Sequence, residues 1–276
     1  MKKYRIALNL FLSMAFALPS LAQVSIAPTS VFMDANGIAS LYITNPSETA
    51  QEISVSFLFG YPGNDENGSL IMVYGDSVRA GQVGMGDRLR SFPRTFILAP
   101  FQQQTVRLQV RPDRSLPAGM QFTRIKVTSS AQTPDIEESA TEGVSTQVNF
   151  RFDQVIAAFY KNGQTSTGLE IGNVETIQSE GKLNVIPEFT TTGNSPFLGS
   201  VSASLKNAAQ QTVATQQQTV ALYFSGKRKV EITLPENLPA GDYTVELQYE
   251  TKRADIPSSD LVQATPITKT LAVRIQ

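Results

Sequence analysis

Few side-chain types in this chain could carry catalytic chemistry. Its 276 residues include no His and no Cys, which excludes His-dependent nucleophile systems, His-ligated zinc, thiolate catalysis and disulfides. The remaining classical option is a carboxylate pair, which in glycoside hydrolysis needs two inward groups about 5 to 9.5 Å apart. The carboxylates instead cluster in predicted loops and turns, as at Asp65-Glu66, Asp135 to Glu138 and Asp255. We therefore predict no catalytic residue, no metal site and no cofactor, and we expect that the protein is not an enzyme.

A different chemistry, main-chain pairing, is available to one segment. Val148, Phe150 and Phe152 alternate with polar residues, and the apolar pattern continues through Val155 and Ile156 to Phe159-Tyr160. Such a strand could complete its own sheet, or it could lie at an edge and pair with a strand from another chain. In a partner's groove, each apolar side chain could contribute about 1.5 to 3 kcal/mol before ordering costs. The pattern alone leaves both alternatives open.

Period-two alternation of β-branched and aromatic residues dominates the chain from Gln23 onward and is typical of half-buried strands. Clear examples are Ile53 to Phe59, Val106 to Val110 and Val201 to Leu205, with turn formers such as Asn36-Gly37 and Asn162-Gly163 between strands. We predict an all-β fold of immunoglobulin-like β-sandwiches. The glycine-rich stretch Gly75 to Arg90 is predicted to be a surface loop, and the acidic stretch Ser129 to Ser145 a solvated one.

An internal echo predicts two tandem sandwiches. Leu116-Pro117-Ala118-Gly119 recurs 122 positions later as Leu238-Pro239-Ala240-Gly241, and flanking apolar positions match at the same displacement. Chance reuse of a common turn is the alternative, which the matched flanks disfavour. In an immunoglobulin-like sandwich this unit is strand E, the E-F corner and strand F, and Tyr243 stands where a corner tyrosine is expected. We predict domains at 23–161 and 168–276, joined near Lys161 to Gly168.

The first 22 residues are typical of a cleaved export signal. Lys2, Lys3 and Arg5 precede an apolar run, and Ser20-Leu21-Ala22 supplies small residues for cleavage before Gln23. Of the 23 basic residues of the chain, three leave with the signal, so 20 remain against 24 acidic residues, for a net charge of −4. A mildly acidic surface argues against nucleic acid as the main partner. We expect an exported, soluble protein that is not embedded in a membrane.

Several segments resemble those of periplasmic pilus-assembly chaperones, the PapD-like family. Val24 to Phe32 resembles the opening strand of that family, Leu41 to Pro46 its second strand, and Pro93 to Leu108 the segment ending in its Gln-x-x-Arg-Ile signature. Phe150-Arg151-Phe152 through Phe159-Tyr160-Lys161 resembles its last strand. The resemblance covers most of 23–161, whereas the second half resembles only a generic sandwich.

The resemblance implies donor-strand complementation in the periplasm of a Gram-negative bacterium. Family members insert the last strand into the groove of an incomplete pilus or surface-protein subunit and release it to an outer-membrane usher. The matched positions imply that Val148, Phe150, Phe152 and Ile156 bind the partner. The family also anchors the subunit's terminal carboxylate with an Arg and a Lys, but Ser30 and Val155 occupy those positions here. The resemblance therefore implies a divergent member without the usual anchor.

Another function class stays open at this level. A structural or adhesion-related envelope protein with immunoglobulin-like domains would show the same strand pattern. It would have no chaperone activity, and its last strand would already be covered in the free protein. The identity of the client, the existence of a pilus, a substitute for the missing anchor, the angle between domains and the oligomeric state are not specified by the pattern.

Overall fold

The computed structural model describes residues 24–113, 115–132 and 150–276, and over these residues the protein is all-β, as predicted. The predicted export signal and Val148 lie outside the described residues. The first sandwich contains β1 (Ser25–Ala27), β2 (Ser30–Phe32), β3 (Ile38–Thr44), β4 (Gln51–Leu58), β5 (Gly60–Asn64), β6 (Leu70–Tyr74), β7 (Leu89–Phe92), β8 (Thr95–Leu98), β9 (Gln103–Val110), β10 (Gly119–Ala131) and β11 (Arg151–Asn162). The second contains β12 (Thr167–Ser179), β13 (Lys182–Gly193), β14 (Phe197–Lys206), β15 (Thr212–Leu222), β16 (Gly226–Lys227), β17 (Val230–Thr233), β18 (Gly241–Glu250) and β19 (Ile267–Ile275).

Each sandwich packs two sheets over its own apolar core. In the first, a sheet of order β1-β3-β9-β7 faces one of order β2-β11-β10-β4-β8, while β5 and β6 form a separate hairpin. In the second, β12-β13-β16 with β17 faces β15-β14-β18-β19. The alternating apolar residues of the sequence point inward in both cores, as expected for strands with one buried face.

The predicted echo between the two halves is confirmed. The matched pairs Leu108 and Val230, Val110 and Ile232, Ile125 and Leu247, and Val127 and Tyr249 are all fully buried. In both halves the first strand of the unit lies in one sheet and the second strand in the facing sheet. The Tyr243 hydroxyl donates to the Pro239 carbonyl at 2.8 Å, so the predicted corner tyrosine is also confirmed.

Two predicted loops are wrong in part. Within Gly75 to Arg90, Ser77–Val83 forms the helix α1 and Gly86–Arg88 a 3₁₀ turn. Asp76 caps the start of this helix, since its carboxylate accepts a 3.0 Å hydrogen bond from the Arg79 amide, and such a cap compensates for an unfavourable interior glycine. Ser129 to Ala131 belong to β10, where Ser129 is buried, and residues 133–145 of the predicted acidic loop lie outside the described residues.

The two sandwiches share an apolar interface. Tyr61, Phe122 and Phe159 of the first sandwich pack with Tyr223 and Leu261 of the second. Beside this cluster, the Met120 main-chain amide donates to the Asn194 main-chain carbonyl at 3.0 Å. The side-chain amide of Asn194 donates to the Ala118 carbonyl. A Cβ on Gly119 would lie 2.6 Å from the Asn194 oxygen, so this contact requires glycine. The interface therefore holds the end of β11 between the sandwiches.

Replacing Tyr243 with Phe should destabilise the second sandwich without changing its packing. The substitution removes one hydrogen bond, whose net contribution is about 0.5 to 1.5 kcal/mol. Denaturant unfolding followed by fluorescence and circular dichroism measures the loss. Tyr42→Phe, on the exposed surface of β3, is the matched control and should leave the free energy of unfolding unchanged. Equal stability of the two variants would contradict a structural role for the corner.

Candidate functional site

The two edges of β11 are covered to different extents. Along one edge it pairs with β10 over its whole length, from Arg151 opposite Ser130 to Asn162 opposite Gly119. Along the other edge it pairs with β2 only at Ala157 to Phe159. Among the described residues, no strand pairs with this second edge between Arg151 and Ile156. We call this stretch the open edge.

The direction of the main-chain groups at the open edge follows from one hydrogen bond. The Met33 amide donates to the Phe159 carbonyl at 2.8 Å, so the polar groups of Phe159 point toward β2. Because these groups alternate in direction along a strand, those of Arg151, Asp153 and Val155 point the same way. The open edge therefore presents the amides and carbonyls of these three residues, while the intervening residues pair with β10.

The predicted partner-binding side chains share the inner face of the strand. Phe150 is 58% exposed, Phe152 is half-buried, and Ile156 is half-buried against the core of the first sandwich. The rings of Phe150 and Phe152 stack with centroids 6.3 Å apart and planes inclined by 21°. Burial therefore increases along the strand, which leaves the two phenyl groups at the open end accessible. Val148, the fourth predicted residue, lies outside the described residues.

Gln154 interrupts this apolar row, a feature that the sequence interpretation missed. It lies between Phe152 and Ile156 on the same face, and its side-chain amide donates to the Val24 carbonyl at 2.7 Å. The bond ties the start of the first sandwich to the middle of β11. No local pattern indicates this bond, because Gln154 and Val24 are distant in the chain and meet only in the folded sandwich.

Ser30 and Val155, to which the resemblance assigned the carboxylate-anchor positions, lie close together near the open edge. Ser30 pairs with Ala157, two residues beyond Val155, and the Val155 side chain is 39% exposed on the outer face of the sheet. The neighbouring strand β10 places Lys126 opposite Val155 and Arg124 opposite Ala157. The cations at this position therefore come from β10, which the sequence interpretation missed although both residues alternate with the buried Ile125 and Val127.

Both of these cations already have partners. The Lys126 ammonium lies 3.4 Å from a carboxylate oxygen of Asp153. The Arg124 Nε donates to the Gly60 carbonyl at 3.0 Å, and its guanidinium carbon lies 5.9 Å from the centre of the Tyr223 ring. Of the cations in β11 itself, Lys161 donates to the Ser259 carbonyl in the second sandwich, and Arg151 is exposed at the start of the strand.

Asp153 is the electrostatic feature of the open edge. The Thr128 hydroxyl donates to one of its carboxylate oxygens at 2.5 Å. This hydrogen bond is the largest single cause that lowers the pKa of Asp153 below its ordinary value, and Lys126 lowers the pKa as well, because both partners favour the charged form. The carboxylate therefore stays ionised at neutral pH and pairs with Lys126 on the outer face of the sheet.

The second half of β11 is held from both faces. Ala158 and Tyr160 enter the core of the first sandwich, whereas Ala157 and Phe159 enter the interface with the second. The Phe159 ring stacks on Phe32 with centroids 4.8 Å apart. The residues from Ala157 to Tyr160 are therefore fixed, and the accessible part of β11 extends from them.

In the ranges 24–113, 115–132 and 150–276, no three His, Cys, Asp or Glu side chains come together in a group that could hold a metal ion. No helix in that part of the chain is long and apolar enough to cross a membrane.

Replacing Thr128 with Val should raise the pKa of Asp153 toward its ordinary value, since the largest cause of the lowered pKa is removed. A lowered pKa contributes stability above the unfolded-state value and loses it as pH falls through the folded-state value. The variant should therefore have a smaller contribution at neutral pH, and it should lose what remains at a higher pH than the wild type. Carbon-detected NMR titration of the Asp153 carboxyl measures the shift. Lys126→Met should raise the pKa as well, because Lys126 also favours the charged form, and an unchanged pKa in Thr128→Val would contradict the assignment.

Comparison with known proteins gives similarities at the level of solved structures. No protein-family model and no curated protein matches the chain. A chain of the chaperone–tip adhesin complex of CFA/I fimbriae biogenesis is 14% identical, with a TM-score of 0.44 over 90% of this chain and 98% of that one. A chain of the CsuC–CsuE chaperone–tip adhesion subunit complex of Acinetobacter baumannii is 10% identical, with a TM-score of 0.42 and coverages of 90% and 98%. A chain of the Salmonella enterica SafA pilin–SafB chaperone complex is 15% identical, with a TM-score of 0.41 and coverages of 92% and 99%.

Proposed function

We propose that this protein is an exported chaperone that binds incomplete pilus or surface-protein subunits by donating the open edge of β11. The observation that carries the proposal is the unequal pairing of this strand, with β10 covering all of one edge and β2 covering three residues of the other. An extended segment of a client could add to the sheet beside β2, where it would pair with the outward main-chain groups of Arg151, Asp153 and Val155.

Phe150 and Phe152 would supply the side-chain part of the recognition. Both lie on the inner face beyond the buried part of the core, so a client groove can cover them without unfolding the sandwich. Full burial of the exposed Phe150 would contribute up to about 1.5 to 3 kcal/mol before ordering costs, and Phe152, which is already half-buried, would contribute less. Ile156 already packs on the core and would contribute its remaining exposed surface, and Val148 would extend the same row.

The fixed base of the strand favours donation over local rearrangement. The second half of β11 is buried in the core and in the interface between sandwiches, so the donor half is held in an extended conformation before a client arrives. A strand that is ordered in advance loses less conformational entropy on binding. The reaction makes and breaks no covalent bond, so the proposed activity is binding and release.

The place of action follows from the predicted export signal. Export followed by cleavage before Gln23 would place the protein in the periplasm, which subunits of surface fibres cross before they are assembled. An outer-membrane usher would be the acceptor that receives the client from the chaperone. Without the family's Arg and Lys anchor, the length of strand paired with the client would set the register.

Changing both phenylalanines to Asp should abolish client capture. Phe150→Asp with Phe152→Asp places two charges where the proposed groove is apolar, so client recovery should fall at least about tenfold, equivalent to roughly 1.4 kcal/mol. The measurement is affinity capture from the periplasm of the native host, with partners quantified by mass spectrometry. Thermal unfolding of both proteins checks that the variant still folds.

The control is Phe101→Asp with Ile177→Asp, which alters two exposed apolar side chains, 67% and 53% exposed, that lie outside β11 and its neighbouring strands. The control should retain the wild-type partners. If the β11 variant retains them as well, the strand-donation proposal is wrong, and a structural role for the sandwiches becomes the better account.

A further inference from the structure

The hairpin formed by β5 and β6 exposes a second edge, which is entirely apolar. The strand β6 consists of Leu70, Ile71, Met72, Val73 and Tyr74, and four of these side chains are 43% to 56% exposed. Within the described residues β6 pairs only with β5. Natural proteins usually protect such an edge with charges, prolines or a covering segment, since a flat apolar edge is a template for another strand.

The hairpin is held rigidly against the second sandwich on its β5 side. The Lys229 amide donates to the Gly68 carbonyl at 2.8 Å, and Arg228 donates to the Asn64 side chain at 3.3 Å. Tyr61 of β5 lies in the interface cluster. The strand β6 is therefore fixed in place while its free edge faces away from this contact.

Proline fixes which residues of β6 present free main-chain groups. In an antiparallel pair of strands, directly opposed residues alternate between pairs that hydrogen-bond to each other and pairs that do not. Pro62, which has no amide hydrogen, lies opposite Met72 and suits a pair without hydrogen bonds. The Asp65 amide donates to the Ser69 carbonyl at 2.9 Å, so the hydrogen-bonded pairs with β5 involve the odd-numbered residues of β6. The amides and carbonyls of Leu70, Met72 and Tyr74 therefore point to the free edge, and their side chains share one face.

We propose that β6 pairs with β6 of a second copy of this chain in an antiparallel dimer centred on Met72. A two-fold axis at Met72 places Leu70 opposite Tyr74 of the other copy, so each exposed apolar side chain meets another. The outward groups of both strands would form up to about six main-chain hydrogen bonds. No charged residue lies within 70–74, so no like charges oppose one another.

Charge and area define the geometry and the strength of this dimer. The acidic turn Asp65-Glu66 precedes β6, and antiparallel pairing keeps the two acidic turns at opposite ends of the joined sheet, whereas parallel pairing would bring them together. Two five-residue strands bury less than the roughly 1,200 Å² of a standard stable interface, so the association is weak and reversible. The dimer uses a different edge from the proposed client site, and it does not rest on the proposed function.

Met72 allows a charge-swap test because, at the proposed two-fold axis, it would lie opposite Met72 of the second copy. Sedimentation velocity of the exported protein from about 5 to about 500 µM should show reversible dimerisation in the wild type. Met72→Lys and Met72→Glu should each raise the dimer dissociation constant at least about tenfold, since like charges then meet at the axis. An equimolar mixture of the two variants should recover dimers, because Lys then meets Glu.

Two controls separate this edge from other surfaces. Val78→Lys changes an apolar side chain that is 70% exposed but lies outside β6, and it should dimerise like the wild type. The Phe150→Asp with Phe152→Asp variant should also dimerise normally. A wild type that stays monomeric, Met72 variants that dimerise unchanged, a mixture that recovers no dimer, or a loss of dimers in the β11 variant would each overturn the proposal.

Discussion

The proposed strand donation depends on how far β2 extends along β11. The strand β2 has three residues and pairs with Ala157 to Phe159, whereas β10 follows the same strand for twelve positions. This difference leaves Ala157 to Phe159 with a strand on each side, whereas Arg151 to Ile156, the open edge, has a strand on one side only. Main-chain groups at an unpaired edge are satisfied by water until another strand replaces it, so the open half is suited to reversible pairing.

The rest of the molecule fixes the position of that edge. Ala158 and Tyr160 secure the strand in one core, and Ala157 and Phe159 secure it in the interface between sandwiches. At the open half, Gln154 reaches Val24, and Asp153 is bound by Thr128 and Lys126. These polar contacts hold the strand from its two faces and leave its edge accessible. Rigidity and an exposed hydrogen-bonding edge therefore occur in the same element, which is what strand donation requires.

The sequence predicted the faces of the strands better than their neighbours. Alternation correctly placed Val127 and Leu247 in the cores, and the repeated corner correctly located Tyr243, since each depends on residues close in the chain. The coverage of an edge depends on distant pairing, so no local pattern showed that β2 ends where it does. Capping by Asp76 produced a helix within a glycine-rich stretch predicted to be a loop. The domain limits 23–161 and 168–276 and the four partner-binding residues stay predictions.

Residue-resolved amide hydrogen exchange of the free protein by NMR tests the open edge most directly. The account predicts an alternating pattern, in which the amides of Arg151, Asp153 and Val155 exchange much faster than those of Phe152, Gln154 and Ile156, which pair with β10. Uniform protection of all six amides in the free protein would show that the edge is already covered, and it would contradict the account.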